Sequence, residues 1–290
     1  MITKQHIKQI EIFLNKEIII DYKLLQISFN IACVKLKLAN NKYYIAKFYI
    51  HKNLDFNAII SESKNLLYLN KKFKFFPKLI KYNNEFLIIE YLENNNKKPH
   101  ETREDLIGAI VKLHSILNTN YGFNFNTQIG GVEQINNYEN NWANFYAHNR
   151  LHPILELANS KYQMGSYINK KIYFLIKNIN DFVPNRPAAS LLHGDMWEGN
   201  ILFKNKKFVG FLDPGSFFGH NEMEIAYLRW FNPSFIDSNF LKKYSEHISI
   251  DKQYLEYETI YQLYYAICNV ALWDKSYINE VKQLLNKVGI

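Results

Sequence analysis

Three polar side chains in the middle of the chain have the types and spacing that phosphate chemistry requires. Asp195 is followed five residues later by Asn200, and Asp213 lies thirteen residues beyond Asn200. The residues between Asn200 and Asp213 predict a β-hairpin, with strands at Ile201 to Phe203 and Phe208 to Leu212. Because the two ends of an antiparallel hairpin meet, the three side chains should converge. One carboxylate could then accept the proton of an attacking hydroxyl, while an amide and a carboxylate oxygen bind Mg²⁺ on nucleotide phosphates.

The same segment has the spacing H-x-D-x-x-x-x-N, which is typical of the catalytic loop of kinases. It begins with His193, Gly194 and Asp195 and reaches Asn200 after four further residues. The alternative is a simple turn before an ordinary hairpin, with Asn200 as a turn residue. The joint spacing of Asn200 and Asp213 favours the functional interpretation. We therefore predict an enzyme, a kinase with Asp195 as the catalytic residue and with Asn200 and Asp213 as ligands of Mg²⁺.

The first third of the chain contains candidates for binding ATP. Lys47 lies within a predicted strand, and Glu62 follows fifteen residues later in a predicted helix. A kinase needs a strand lysine on the α- and β-phosphates and a helix glutamate that holds it. The alternative is a lysine and a glutamate that both face solvent. Glu90, Tyr91 and Leu92 end the last predicted strand, where the backbone of a hinge would bind adenine; the alternative is an ordinary strand end.

The predicted phosphate loop has no glycine. The turn before the strand that begins at Val34 reads Gln26-Ile27-Ser28-Phe29-Asn30. Glycine lets backbone N–H groups approach phosphates closely. Ser28 or Asn30 would have to compensate in part, so the sequence leaves open whether this loop lowers or abolishes activity.

The surrounding elements predict an α+β, bilobal architecture of the protein-kinase type. The small lobe would hold a hairpin (Val34 to Leu38 and Tyr43 to Tyr49), a helix (Ala58 to Leu69) and a strand (Phe86 to Tyr91). The larger lobe would be helical around the inserted hairpin, with helices at Arg103 to Leu117, Asn141 to Ala158, Ile168 to Phe182 and Gln253 to Trp273. The polar run from Glu93 to His100 would be the linker. We therefore expect a nucleotide-binding lobe at 1–93 and a catalytic, substrate-binding lobe at 94–290.

The composition argues against several other classes of protein. The chain has 290 residues and a formal net charge of +8, with its lysines spread along the chain rather than clustered with exposed aromatics. This distribution predicts no nucleic-acid groove, and no segment is long and apolar enough to predict a membrane span. Cys33 and Cys268 are the two cysteines. They form neither a disulfide framework nor a metal motif, which indicates a reducing, cytoplasmic location.

Three segments share a pattern with one known family. The catalytic loop reads HGDMWEGN from His193 to Asn200, close to the family signature HGDLWSGN. Asp213 to Ala226 matches a segment of the form D-P-x-x-x-x-G-[DH]-R-E-x-D-x-A at most positions. A third pattern, I-G before a Trp-containing helix and R-L, corresponds to Ile129-Gly130, Trp142 to Tyr146 and Arg150-Leu151. The chain thus resembles the fructosamine kinases, or ketosamine-3-kinases, from about Leu24 to Trp273.

This resemblance implies a fold, a reaction and two substrate-binding residues. The family implies ATP, Mg²⁺ and a sugar joined to an amine through C1, phosphorylated on its 3-hydroxyl so that the sugar is later shed and the glycated amine repaired. The substrate could be a small molecule or a protein-linked ketosamine. The indole of Trp197 would line the acceptor pocket; the alternative is a core Trp packed under the loop. Trp142, Arg150 and His114 are expected to be structural.

The departures from the family pattern concern the substrate and the rate. Glu198 stands where the family usually has Ser, Asn221 where it has Arg, and Glu224 where it has Asp. A partly buried Glu198 would favour an acceptor that carries positive charge. Two alternatives therefore stay open: a kinase of the same fold acting on an aminoglycoside or amino alcohol, and a pseudokinase of low activity. The oligomeric state is not predicted.

Overall fold

The small lobe of the computed structural model, which describes residues 3–51 and 56–290, is built on a five-stranded antiparallel sheet. The strand order is β1-β2-β3-β5-β4. The strands are β1 (Ile19–Ser28), β2 (Ile31–Leu38), β3 (Tyr43–Tyr49), β4 (Leu79–Tyr82) and β5 (Phe86–Glu90), with helices α1 (Lys4–Phe13) and α2 (Ala58–Leu69).

Strict alternation along β2 decides which face of this sheet meets the rest of the protein. Ala32, Val34, Leu36 and Leu38 are buried, and together with α1 they form a separate small cluster of apolar side chains. The alternate residues point to the opposite face, because neighbouring side chains of a strand lie on opposite sides. On β3, Lys47 shares that opposite face with the buried Ile45, which packs with α2 and the large lobe.

The small lobe is larger than the sequence patterns predicted. Helix α1 was not predicted, and β2 begins at Ile31 rather than at Val34. The expected turn from Gln26 to Asn30 is only two residues long, because Ser28 pairs with Ile31 around Phe29 and Asn30. The sequence pattern does not reveal β1, because β1 is an exposed edge strand with two register shifts, which break the alternation of apolar and polar residues.

The large lobe is mainly helical, as predicted. Its helices are α3 (Glu104–His114), α4 (Trp142–Tyr146), α5 (His152–Lys161), α6 (Ser166–Lys177), α7 (Asn221–Phe231), α8 (Phe240–Ser245), α9 (Tyr254–Leu272) and α10 (Ile278–Val288). Its strands are β6 (Leu117–Asn118), β7 (Thr127–Ile129), β8 (Val132–Gln134), β9 (Ala189–Leu192), β10 (Ile201–Lys204), β11 (Lys207–Phe211) and β12 (Phe217–His220). A π-helical turn (Ala147–Leu151) joins α4 to α5, so one predicted helix is observed as three consecutive helical segments.

Helix α3 is shorter than predicted. It ends at His114, and Leu117, which was expected on its buried stripe, lies in β6 with 62% of its surface exposed. Leu117 pairs instead with Ser190 of β9, so strand pairing replaces the last helical turn. No helix among the described residues is long and apolar enough to cross a membrane.

The predicted hairpin and linker lie against each other. Strands β10 and β11 pair antiparallel, with Ile201 opposite Phe211. The backbone N–H groups of Asn95 and Asn96 donate to the carbonyl of Phe203, and Lys206 N–H donates to the carbonyl of Lys97. The segment from 91 to 99 contains no helix or strand. The division into lobes at residue 93 remains a prediction.

Arg150 is a structural residue of the large lobe, as expected. Its side chain is 1% exposed, and its guanidinium donates to the carbonyls of Ile135 and Asn149 and to the side-chain oxygen of Asn136, each at 2.7 Å. The same group lies 3.9 Å from the centre of the Phe217 ring. Burial lowers the pKa of Arg150 to about 10, so the guanidinium remains charged at neutral pH.

We predict that Arg150→Ala lowers the free energy of unfolding by about 2–4 kcal/mol, because it leaves buried carbonyl groups without their donor. Urea denaturation at pH 7 measures this change. Arg186→Ala, at an exposed arginine, serves as the control and should change stability by about 0.5 kcal/mol or less. Equal stability of the two variants would contradict the structural role.

Candidate active site

Lys47 joins the two lobes at the centre of the cleft. Its Nζ lies 2.7 and 2.9 Å from the carboxylate oxygens of Glu62 on α2 and 2.5 Å from Oδ1 of Asp213. Lys47 and Glu62 are 7% and 4% exposed. The structure therefore brings together three of the side chains that the sequence selected, and the proposed solvent-facing alternative for Lys47 and Glu62 is wrong.

Burial and charge act in opposite directions on this cluster. Burial alone would lower the pKa of Lys47, but the carboxylates of Asp213 and Glu62 outweigh it and raise the pKa. Burial raises the pKa of Glu62 to about 7, against the opposing charge of Lys47. The ammonium group therefore stays charged, and the positive charge that would face nucleotide phosphates is held at a fixed position in the cleft.

Asp195 lies in the loop between β9 and β10, with its carboxylate oriented by its neighbours. Asn200 Nδ2 donates to the backbone carbonyl of Asp195 at 2.8 Å and to its Oδ2 at 3.2 Å. The hydroxyl of Tyr227 lies 3.5 Å from Oδ1. Burial, followed by the charge of Asp213, raises the pKa of Asp195 to about 7. Near neutral pH this carboxylate can therefore both gain and lose a proton.

Backbone contacts fix the Asp195 loop against the Asp213 segment. Gly215 N–H donates to the carbonyl of His193 at 2.9 Å. Gly194 has a φ of +87°, and a β-carbon there would lie 2.2 Å from the carbonyl oxygen of Gly215. Asp213 itself has a φ of +54°, in the left-handed region that non-glycine residues seldom adopt. The close approach to Gly215 explains why position 194 holds a glycine, and it packs the Asp195 loop directly against the Asp213 segment.

Glu224 on α7 anchors the same loop from beneath. Its Oε2 accepts from His193 N–H at 2.9 Å and from His114 Nε2 at 3.0 Å, and its Oε1 accepts from Gly194 N–H at 2.7 Å. Burial alone would raise the pKa of Glu224, but the donors from His114 and His193 hold it below its usual value. The sequence predicts a structural role for His114, and its contact with Glu224 agrees with that role. Glu224 itself is noted in the sequence only as a departure from the family pattern.

A short chain of hydrogen bonds determines the orientation of the His114 ring and which of its nitrogens donates. Asn221 Nδ2 donates to the hydroxyl of Tyr244, which lies 2.8 Å from His114 Nδ1. Since that hydroxyl already accepts from Asn221, we infer that it donates to Nδ1, which leaves Nε2–H to donate to Glu224. The His114 ring is therefore oriented from both sides.

Asn200 and Asp213 provide oxygen ligands of the kind that Mg²⁺ prefers. The amide nitrogen of Asn200 is committed to Asp195, which leaves its Oδ1 for a ligand. The Asp213 side chain is 32% exposed. One amide and one carboxylate oxygen, completed by water and phosphate oxygens, suit this ion. The two residues therefore fit the expected metal.

The predicted hinge lies at the edge of the cleft. Glu90 N–H donates to the carbonyl of Lys78, so this donor is already used within the sheet. Tyr91 N–H lies 3.4 Å from the carbonyl of Tyr43, and Leu92 is half-buried. Lys35 Nζ lies 3.6 Å from the centre of the Tyr91 ring. Adenine binding by Glu90, Tyr91 and Leu92 remains a prediction.

Trp197 lies at the surface next to the loop rather than beneath it. Its indole is 37% exposed and its ring centre is 6.1 Å from that of Phe231, which is 38% exposed. Phe231 in turn lies 5.2 Å from the ring of Tyr227, whose hydroxyl faces Asp195. An aromatic strip therefore runs from Trp197 to the candidate catalytic carboxylate. Sequence reasoning did not identify Phe231 and Tyr227 as site residues. Their spacing of three and seven residues from Glu224 places all three on one face of the helix and could have indicated that they lie near the loop.

Glu198 is more exposed than expected. Its side chain is 40% exposed and lies 3.5 Å from Nζ of Lys98 in the predicted linker. The expectation of a partly buried carboxylate with a strong preference for cations is therefore weakened, because solvent and Lys98 both screen its charge.

The comparison with known proteins identifies the family. The Fructosamine kinase family profile matches residues 32–289. The chain belongs to the fructosamine kinase family. It is 28% identical over 204 residues to a probable ketoamine kinase of Enterococcus faecium, which covers 69% of this chain and 70% of that protein. The chain is accordingly a phosphotransferase that acts on a sugar-derived alcohol.

Solved structures support the fold. A crystal structure of a candidate fructosamine-3-kinase from Thermobifida fusca superposes with a TM-score of 0.86 and 18% identity, covering 97% of both chains. The gentamicin complex of the aminoglycoside phosphotransferase APH(2″)-IIa has a TM-score of 0.69 and 15% identity over 99% of this chain and 97% of the other. The predicted protein-kinase-like α+β fold is confirmed.

We predict that Glu224→Gln destabilises the catalytic loop, because one buried N–H would face the amide nitrogen of Gln in either orientation. The free energy of unfolding should fall by about 1–3 kcal/mol, and amide hydrogen exchange at His193 and Gly194 should become faster. Glu222→Gln is the matched control, since Glu222 is a buried glutamate of the same helix that contacts Asp251 N–H and Tyr257 instead of the loop. Unchanged exchange at His193 and Gly194 in the Glu224 variant would contradict the anchoring role.

Proposed function

We propose that this protein is an ATP- and Mg²⁺-dependent kinase that phosphorylates the 3-hydroxyl of the sugar in fructosamines and other ketosamines. The observation that carries the proposal is that the carboxylates of Glu62 and Asp213 both lie within 2.9 Å of Lys47 Nζ, beside the loop that holds Asp195. The family membership supports the acceptor class. We also propose a cytoplasmic location, supported by the two free thiols of Cys33 and Cys268.

The nucleotide would be held by the residues of the cleft. Lys47 would exchange its contact with Asp213 for the α- and β-phosphates, while Glu62 keeps the ammonium in place. Asn200 Oδ1 and the carboxylate of Asp213 would hold Mg²⁺. When bound, this ion supplies positive charge that neutralises the phosphate oxygens.

Asp195 would act on the acceptor. Its carboxylate accepts the proton of the sugar hydroxyl as the oxygen attacks the γ-phosphorus; the bond between that phosphorus and the leaving oxygen of ADP breaks. A pKa of about 7 suits this role, because the group is substantially ionised at neutral pH and is still a useful base. Asn200 and Tyr227 orient the two carboxylate oxygens.

The aromatic strip would bind the sugar. Stacking one face of a sugar ring on Trp197, with Phe231 beside it, would place a hydroxyl near Asp195 without fixing what is attached to C1. The protein should therefore accept several ketosamines that differ in their amine, as free compounds or linked to protein. Phosphorylation would destabilise the link and release the amine, which is a repair reaction.

We predict that Asp195→Asn lowers the rate of transfer by about 10²–10⁴ while leaving the thermal shift caused by Mg-ATP intact. In the wild type, kcat/KM for the acceptor should rise as the pH increases through about 7, because the proton-accepting carboxylate form exists above the pKa. Steady-state kinetics between pH 5.5 and 8.5 would measure both effects. Wild-type turnover by the variant would show that Asp195 is not the base.

We predict a small preference for positively charged acceptors that depends on Glu198. Because this carboxylate is exposed and lies near Lys98, kcat/KM for glycated lysine should exceed that for a neutral fructosamine only about two- to fivefold. The preference should disappear in Glu198→Ser and increase in Lys98→Ala. The same ratio in all three proteins would show that Glu198 does not face the acceptor.

The acceptor panel also separates the alternatives. Aminoglycosides and amino alcohols belong in it, since a phosphotransferase of that class shares the fold. Activity on those compounds alone would overturn the ketosamine assignment. Binding of nucleotide without turnover on any acceptor would favour the pseudokinase that the glycine-free loop suggests.

A further inference from the structure

The tip of the phosphate loop crosses the cleft and contacts the large lobe. Phe29, the first residue of the two-residue turn between β1 and β2, is half-buried, and its ring centre lies 5.0 Å from that of Trp273. Trp273 follows the last residue of α9 and is 55% exposed. Phe29 of the small lobe is thus packed against a tryptophan of the large lobe.

Two glycines form the slot that receives this ring. Gly130 and Gly131 make the turn between β7 and β8, both with positive φ. A β-carbon on Gly131 would lie 3.0 Å from Cβ of Phe29, and one on Gly130 would lie 3.3 Å from its Cε2 and 2.9 Å from Cδ1 of Leu272. Side chains at these positions would fill the space that Phe29 occupies. The I-G pattern noted in the sequence therefore has a physical reason.

The same loop is fastened to the small lobe on its other side. Asn30 Nδ2 donates to the carbonyl of His51 at 2.7 Å, and His51 N–H donates to Asn30 Oδ1 at 3.1 Å. Phe29 and Asn30 have φ values of +48° and +65°; asparagine adopts this left-handed region readily, but it is unfavourable for phenylalanine. Contacts from both lobes therefore accompany a backbone conformation that the residue types would not choose alone.

The β7–β8 hairpin also contacts two other parts of the nucleotide site. A β-carbon on Gly215, two residues after Asp213, would lie 1.9 Å from the carbonyl oxygen of Gln128. Ser61, adjacent to Glu62 on α2, donates to the carbonyl of Asn126, directly before β7. One hairpin therefore touches the phosphate-loop tip, the metal-binding segment and the helix that carries Glu62.

We propose that Phe29 is a positioning residue that latches the glycine-free phosphate loop onto Trp273 and the Gly130–Gly131 turn. The latch holds the loop above the nucleotide phosphates through a side-chain contact, where glycine-rich loops use close backbone approach. It also closes the side of the site from which water could reach the γ-phosphorus. This inference rests on the proposed use of ATP.

The latch links closure of the nucleotide site to the catalytic base. Trp273 extends from α9, and Tyr265 on the same helix stacks on Tyr227 with ring centres 3.6 Å apart. Tyr227 contacts Asp195. Loss of the latch should therefore affect both nucleotide affinity and the partition of ATP between acceptor and water.

The test measures binding of Mg²⁺ with a non-hydrolysable ATP analogue by calorimetry. Phe29→Leu and Trp273→Leu should each weaken binding about five- to tenfold, because each removes the aromatic pair. The affinity of the double variant should also be no more than about tenfold below that of the wild type, since both changes remove the same contact. Phe29→Tyr should keep nearly wild-type affinity. Phe174→Leu is the control, because Phe174 is an exposed phenylalanine of α6, a helix that carries none of the residues placed in the cleft.

A second measurement separates a latch from simple packing. In the Leu variants, phosphate released from ATP without acceptor phosphorylation should rise relative to transfer, because water gains access to the γ-phosphorus. Amide hydrogen exchange at Phe29 and Asn30 should become faster in nucleotide-free Trp273→Leu. Wild-type protein that binds no nucleotide would contradict the proposed function and the latch together. If the wild type binds nucleotide, and Phe29→Leu binds it with the same affinity and releases no more phosphate to water, the latch alone would be contradicted.

Discussion

A single buried ammonium group sets the geometry of the cleft. Lys47 is 7% exposed, and a charge in such a position is costly unless it is paired and hydrogen-bonded. Its partners come from different parts of the chain, Glu62 from α2 and Asp213 from the segment after β11. The two lobes must therefore approach closely enough for both carboxylates to reach one nitrogen. The position of the Asp213 carboxylate relative to the sheet follows from this requirement.

The loop that holds Asp195 is ordered by the same kind of constraint. Its buried N–H groups at His193 and Gly194 need acceptors, and the two carboxylate oxygens of Glu224 provide them, while His114 donates to one of the same oxygens. His193 is itself fully buried, with its ring stacked on Phe76, and its Nδ1 accepts from Asp195 N–H. With the backbone fixed in this way, the carboxylate of Asp195 is directed to the cleft between Asn200 and Tyr227. Its raised pKa results from the burial that this arrangement imposes.

The turn between β1 and β2, which we propose as the phosphate loop, is held by tertiary contacts and contains no glycine. Glycine would allow a flexible backbone to close on phosphates, whereas this chain holds Phe29 and Asn30 in the left-handed region. The small lobe fixes Asn30, and the large lobe receives Phe29 between two glycines and Trp273. The glycines of this device lie about one hundred residues away in sequence, at the β7–β8 turn. The β7–β8 turn, which contacts the loop in the folded protein, is therefore not evident from the residues of the loop alone.

Local pattern alone determined the central elements of the small lobe, the helical character of the large lobe and the candidate chemistry, but not α1 or β1. Alternation along β2, helical periodicity in α2 and α3, and the spacing of Asp195, Asn200 and Asp213 all depend on neighbours within a few residues or across one hairpin. The sequence also indicated structural roles for His114 and Arg150. It placed the end of α3 incorrectly, because Leu117 fits a helical stripe equally well until β9 offers it a strand partner.

Tertiary structure decided what those residues do to one another. Glu224 beneath the loop, Phe231 beside Trp197, Lys98 next to Glu198 and Trp273 against Phe29 are contacts between residues distant in sequence or, for the last pair, in opposite lobes. Burial and the resulting pKa of Asp195 depend in the same way on the folded surroundings. Sequence periodicity records which face of an element is apolar, but it does not record which distant polar group meets that face. Hydrogen-bond partners, exposure and charge environment therefore appear only when the chain has packed.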